Sequence, residues 1–198
     1  MRVVAAVALA FALFGRTFRG PRPEFWDRMT ETGAVLGALA LAGGEAKRAK
    51  PRLRDIPYGI AIAAGLFAIF QVGDRAARAV MPRGEEQIKE IYALREIKPK
   101  EEIAARLATV IGPAEELFWR GWLQRRVGFL PAAAAYAGVH LVTGNATLIG
   151  AAATAGLYWG ALSALGAPMA ALIVSHSLWD IWIFLVQPTE RESKAPEG

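Results

Sequence analysis

The chain has 198 residues, 54% of them apolar, with a mean hydropathy of +0.28, a net charge of +5 and no cysteine. Without thiols there is no disulfide framework, no cysteine nucleophile and no cysteine-based metal site. The basic residues gather beside apolar runs, at Arg16, Arg19 and Arg22 and at Lys47, Arg48, Lys50, Arg52 and Arg54. That placement fits attraction to anionic lipid and argues against nucleic acid as a partner.

In chain order, the first apolar run is Val3–Phe14. No A-x-A-like cleavage site separates it from the basic GRTFRG, so it reads as a retained first helix and not as a signal peptide. A second short run lies at Gly33–Leu41 inside segment 31–43, and a clearer span follows from Pro57 to Gly73 inside segment 56–73. The interval Asp74–Glu102 is polar. Within it, residues 84–98 place Ile88, Ile91 and Tyr92 on one face, the pattern of an amphipathic helix lying at a membrane interface or of a solvated connector. Four further helical segments are expected at 103–126, 129–142, 146–165 and 168–186. A helix rises about 1.5 Å per residue, so about 20 residues cross a bilayer core, and the last two runs reach that length. Ala, Gly and Ser pervade them, which permits close helix contact in lipid.

The expected fold is therefore all-α: a polytopic membrane helix bundle of about seven helical segments with an interfacial amphipathic helix. It forms a single domain, with N-terminal helices over 1–73, a polar connector over 74–102, a helical core over 103–187 and a polar tail over 188–198. The expected location is a multi-pass integral one, the plasma membrane in a prokaryotic cell. Lys and Arg are spread over loops on both sides, so the charge rule assigns no orientation. Oligomeric state is not encoded in any pattern visible here.

The polar residues inside these apolar segments carry the chemical information. Glu115 and Glu116 are adjacent, so on a helix they point about 100° apart and serve different roles. Arg120 lies four residues beyond Glu116, the spacing of an acid–base pair. An exposed amphipathic helix with an ordinary ion pair would also show this spacing, but Leu117, Phe118, Trp119, Trp122 and Leu123 would make its surface greasy. At membrane depth each charge costs about 2.5–3.5 kcal/mol unless it is paired or used. Arg120 neutralising Glu116 would leave Glu115 free to react. Pro113 has no N–H, so a kink is expected just before the glutamates. The only two histidines repeat one geometry: Tyr136 and His140 are four apart, as are His176 and Asp180. Asp180 either orients His176 or joins it in a common cavity.

Three chemistries suit this set. Glu115 and His140 can activate water for peptide hydrolysis. A divalent metal such as zinc, with His140, His176, Glu115 and Asp180 as its candidate ligands, can supply the water by another route. Acids and histidines across a membrane can also relay protons or ions. H-E-x-x-H is absent, so a metal would draw its ligands from separate helices. No serine sits in a G-x-S-x-G elbow, and no organic cofactor is expected.

At these residues the sequence resembles the CPBP family of intramembrane proteases, which includes the type II CaaX prenyl endopeptidases. The family's first motif is matched by Glu115-Glu116-x-x-x-Arg120-Gly121. Its second, an aromatic residue and a histidine four residues on, is matched by Tyr136-x-x-x-His140, with tyrosine for the more usual phenylalanine. The third, histidine and then asparagine or aspartate, is matched by His176-x-x-x-Asp180. The resemblance spans about residues 103–187. It implies an intramembrane endopeptidase in which Glu115 and His140 activate water, His176 and Asp180 stabilise the oxyanion, and Glu116 and Arg120 are structural. It also implies membrane lipid as the surroundings and a membrane-associated peptide or protein as substrate, lipidated in the best-understood relatives. A non-catalytic scaffold, an immunity-type binding protein or a proton-coupled transporter would use the same polar network differently.

Overall fold

Long apolar runs satisfy their own backbone groups most simply as helices. The computed structural model, which describes residues 3–48, 50–81 and 83–186, is built from helices and has no strand among those residues. The expected polar tail at 188–198 lies outside the described residues. Eight helices follow in order among them: α1 (Val3–Phe18), α2 (Phe25–Ala42), α3 (Asp55–Val80), α4 (Gly84–Tyr92), α5 (residues 100–127), α6 (Phe129–Val139), α7 (Ala146–Ala164) and α8 (Met169–Ile181), the last continued by a wide turn at Trp182–Val186. Each of the seven expected segments lies mostly within a helix, and α4 is the eighth.

Several boundaries differ from the sequence reading: α1 runs on to Phe18, α2 begins already at Phe25, and the helix that starts at Phe129 ends at Val139 and passes into a 3-10 turn. Helix α3 runs past Gly73 to Val80, because the charged stretch that looked like a connector is helical and bridged by Arg78 to Asp74 at 3.0 Å, one turn apart. The amphipathic segment is helical only to Tyr92 and then tightens into a 3-10 turn at Ala93–Glu96. Its apolar side faces inward: Ile88 and Tyr92 are buried against Phe67, Ile183 and Phe184. The helix packs on protein where an interfacial helix would face lipid.

Among the described residues two helices are long and apolar enough to cross a membrane, Asp55–Val80 and Met169–Val186. Helix α1 and the stretch Phe129–Thr143 are apolar but shorter. Helix α7 has 19 residues, but Gly, Thr, Tyr and Trp dilute its hydropathy. Fewer spans therefore stand clear than the sequence suggested.

The bundle is held by close contacts at small residues. A Cβ on Gly59 of α3 would lie 2.8 Å from the Ala171 carbonyl oxygen and 2.7 Å from the Val174 side chain on α8. On α7, Gly156 leaves room for the Tyr136 ring of α6, which would be 2.9 Å from an added Cβ. Gly37 of α2 meets Ala114 of α5 at 3.0 Å in the same sense. Between α5 and α6 the chain reverses at Gly128, whose φ of 87° belongs to the left-handed side that glycine tolerates. Asn145 then caps α7, its Oδ1 accepting from the Leu148 N–H at 2.9 Å. The core lies between these helices around Phe14, Trp26, Leu36, Phe118, Trp119, Trp159 and Leu172.

The contact between α3 and α8 gives a direct test. Gly59→Ala should lower stability by about 1–3 kcal/mol, the usual range for overpacking, because the neighbouring atom is backbone and cannot move aside. Gly73→Ala, on the same helix with nothing within 4 Å, should leave stability unchanged or slightly higher. Thermal unfolding of the two variants in detergent would compare them, and equal melting would mean that α3 and α8 are not in this contact.

Candidate active site

The site is built on α5, whose hydrogen bonding is unusual. Pro113 supplies no N–H, and the helix accommodates this by widening: Leu107–Ile111 is a π turn, and the Gly112 N–H reaches back five residues to the Leu107 carbonyl. A short α-helical piece, Gly112–Glu116, carries the two glutamates. A second π turn, Leu117–Leu123, follows it, with the Gln124 N–H bonded to the Trp119 carbonyl. The expected kink before the glutamates is thus a pair of wide turns around them, a form of distortion often found at functional sites.

The two glutamates part company as their adjacency predicts. Glu116 is completely buried, and Arg120, 2% exposed, places Nη1 3.0 Å from Glu116 Oε1. The guanidinium is held from other helices as well: Nη2 donates to the Ala155 carbonyl of α7 at 3.4 Å, and its carbon lies 4.5 Å from the Tyr136 ring centre and 5.2 Å from that of Trp159. The same Glu116 Oε1 accepts a 2.7 Å hydrogen bond from His176 Nδ1 on α8. Glu116 is therefore the partner of both Arg120 and His176. Spacing along the chain pointed only to the first.

His176 presents its other nitrogen to two further acids. Nε2 lies 3.5 Å from Asp180 Oδ2 and 4.0 Å from Glu115 Oε2. Of the two roles open to Asp180, orienting the imidazole falls to Glu116 at the shorter distance. The His176 ring stacks on Trp159, with centres 4.1 Å apart and planes 18° from parallel.

His140 stands at the end of α6. Its Nδ1 is 2.8 Å from the Tyr136 carbonyl oxygen, which can only accept, so Nδ1 carries the hydrogen and Nε2 is left with its lone pair. The ring is edge-packed by Phe14 at 5.3 Å and flanked by Phe18 at 5.9 Å, both from α1, and by Tyr136 at 5.3 Å.

Glu115, His140, His176, Asp180 and Tyr136 all line one cavity of about 500 Å³, whereas Glu116 and Arg120 do not reach it. The rest of its wall is largely apolar, with Phe18, Phe25, Trp26, Phe70, Trp179 and Phe184 among its residues. Residues of α1, α2, α3, α4, α7 and α8 contribute to its wall alongside those of α5 and α6. The N-terminal helices, which carry no motif, thus complete the chamber.

A zinc ion needs its nitrogen and oxygen ligands about 2.0–2.2 Å away and converging on one point. Among the described residues no group of three or more His, Asp or Glu side chains is so placed. His140 and His176 each anchor Nδ1, on the Tyr136 carbonyl and on Glu116, and leave Nε2 for another partner, as metal-binding imidazoles do. As the side chains stand, however, the candidate set His140, His176, Glu115 and Asp180 does not converge on one metal position.

The helices thus set a buried cluster of acids and imidazoles against a largely apolar chamber. Residues 102–182 match the family model described as Type II CAAX prenyl endopeptidase Rce1-like. The family is a membrane-embedded protease family, and the matched segment contains all six residues of the cluster. No curated protein and no solved structure matches the chain.

Trp159 was not singled out in the sequence. Its indole N–H donates to Ser175 Oγ at 2.9 Å, and both residues are buried behind His176. The local hint is a large indole in a helix rich in small residues. Its partners lie on other helices, where no spacing rule can find them.

Arg120 is the permanent cation beside Glu116, and the His176 N–H alone does not replace it, so Arg120→Met should destabilise the protein by about 3–5 kcal/mol, the usual cost of removing one partner of a buried ion pair. Glu115→Gln, which breaks no such pair, should melt within about 1 kcal/mol of the parent. Thermal or denaturant unfolding of the purified variants would show the difference, and equal losses would mean that Arg120 does not hold Glu116.

Proposed function

We propose that this chain is an intramembrane endopeptidase that hydrolyses a peptide bond in a membrane-associated peptide or protein by means of water activated at Glu115 and His140. The observation that carries this reading is the convergence of Glu115, His140, His176 and Asp180 on one apolar cavity within the family-matched segment. Two of the helices have the length and hydropathy of spans, which supports a multi-pass integral placement.

Glu115 is the general base. It takes a proton from a water whose oxygen attacks the scissile carbonyl carbon, and it returns that proton to the leaving amine. His140 holds the same water through Nε2, the nitrogen that can accept while Nδ1 donates to the Tyr136 carbonyl. As the tetrahedral intermediate forms, its oxyanion needs a donor, and His176 supplies Nε2–H. The carboxylates of Glu116 at Nδ1 and of Asp180 and Glu115 near Nε2 allow both ring nitrogens to carry a proton. Asp180 sits at the family position that holds asparagine or aspartate. As an anion it helps by keeping His176 a donor, and when protonated it donates to the oxyanion itself. Glu116 and Arg120 stay outside the reaction and fix the helix that presents Glu115. The apolar wall suits a substrate with a greasy chain, either a lipid attached to the peptide or apolar side chains.

Cleavage of a panel of lipidated and unlipidated peptides in proteoliposomes would test this. Glu115→Gln and His140→Ala should each lower turnover by at least about 10²-fold while the proteins stay folded, the scale expected for loss of acid–base catalysis. Activity surviving Glu115→Gln would remove the proposed base. A folded wild type that cleaves nothing in the panel would shift the reading to a binding scaffold.

A further inference from the structure

We infer that Trp159 is a positioning residue of this site: its indole fixes the plane of the His176 imidazole so that Nδ1 stays on Glu116 and Nε2 faces the cavity. The inference concerns the same site as the proposed protease reading, and its principal test does not depend on that reading.

Four observations converge on this indole. Trp159 has no exposed surface, so its ring cannot swing out into open space. One face lies against the His176 ring at 4.1 Å and 18°, close enough and parallel enough to block rotation of the imidazole out of its plane. The indole is itself pinned, because its N–H donates to Ser175 Oγ at 2.9 Å and its edge packs on Trp179 at 5.9 Å. It also lies 5.2 Å from the Arg120 guanidinium carbon. Trp159, His176, Glu116 and Arg120 therefore close a ring of contacts in which each member touches the next. The short hydrogen bond from Nδ1 to Glu116 and the longer contacts of Nε2 with Asp180 and Glu115 hold the edges of the imidazole but leave its faces able to tilt. The stacked indole removes this remaining freedom. Orientation of this kind governs rate more than substrate affinity, because it sets where Nε2–H meets developing charge.

The chain's two histidines make the test direct. With ¹⁵N-labelled histidine in detergent micelles, the ring resonances of His140 and His176 form two separable sets, assigned by His140→Ala. The wild type should show a downfield, exchange-protected Nδ1–H for His176, from its bond to Glu116. Trp159→Phe keeps a flat ring in place and should retain that resonance. Trp159→Leu fills much of the volume without a stacking face and should broaden or lose it, with His140 unchanged and circular dichroism at the wild-type level. Ser175→Ala, which frees the indole, should weaken the signal part of the way.

On a peptide that the wild type cleaves, Trp159→Leu should lower kcat roughly tenfold at nearly constant KM, with Trp159→Phe close to wild type. If Trp159→Leu folds and leaves the His176 resonance sharp and unshifted, the inference is overturned. It is overturned equally if Trp159→Phe loses the resonance as fully as Trp159→Leu, because stacking would then not be what matters. A preserved pattern of resonances in a protein that cleaves no peptide would reject the protease reading and leave the positioning of His176 intact.

Discussion

Glu116 has no contact with water, and a carboxylate in that position has to be compensated at close range by whatever surrounds it. Arg120 does so along the helix and His176 does so across it, on one and the same oxygen. Arg120 is in turn tied to a carbonyl on α7 and to rings on α6 and α7, and His176 to an indole on α7. Four helices, α5 to α8, are thereby bound to a single buried charge. Replacing such a group by an apolar one is often neutral in a soluble core. Here the ion does something that packing alone does not: it fixes which face of α5 points inward, and so where Glu115 stands.

The helices without motifs have a definable part in this. Helix α1 brings Phe14 and Phe18 against His140, α2 lies against α5 at the level of Ala114, and α3 lies along α8 with Gly59 at the contact. Each presses on an element that bears one of the cavity's polar residues. The same helices supply much of the cavity's apolar wall. The family match covers residues 102–182, but the chamber is not closed by those residues alone.

What the sequence revealed about this arrangement followed the range of its rules. Spacing of four residues on a helix placed Arg120 on Glu116 correctly, since both lie on one element. Adjacency alone separated Glu115 from Glu116, one toward the cavity and one away from it. The same rule paired His176 with Asp180, yet the stronger partner is Glu116, 60 residues earlier, which no local period reaches. Trp159 escaped for the same reason. Helix ends were blurred where charge pairs such as Asp74 and Arg78 extend a helix beyond its apolar run. The amphipathic face of α4 was visible, but whether Ile88 and Tyr92 met lipid or protein depended on the neighbours that the fold supplied.

The two wide turns in α5 bear on how these parts are coupled. A regular α-helix would carry Glu115, Glu116 and Arg120 in a fixed phase with every residue before Pro113. The π turns at Leu107–Ile111 and Leu117–Leu123 isolate the short piece Gly112–Glu116 from both flanks. That piece is then oriented chiefly by what its side chains hold, which is Arg120 and His176 through Glu116. Glu115 and the anchor Glu116 are consecutive residues on it, so any movement of the anchor is transmitted to Glu115 through one peptide unit. Substitutions in the ring formed by Trp159, His176, Glu116 and Arg120 should for that reason be non-additive with one another, as is usual for residues sharing one network. Stability and the placement of Glu115 are properties of the same contacts, and a site of this construction cannot relax one without displacing the other.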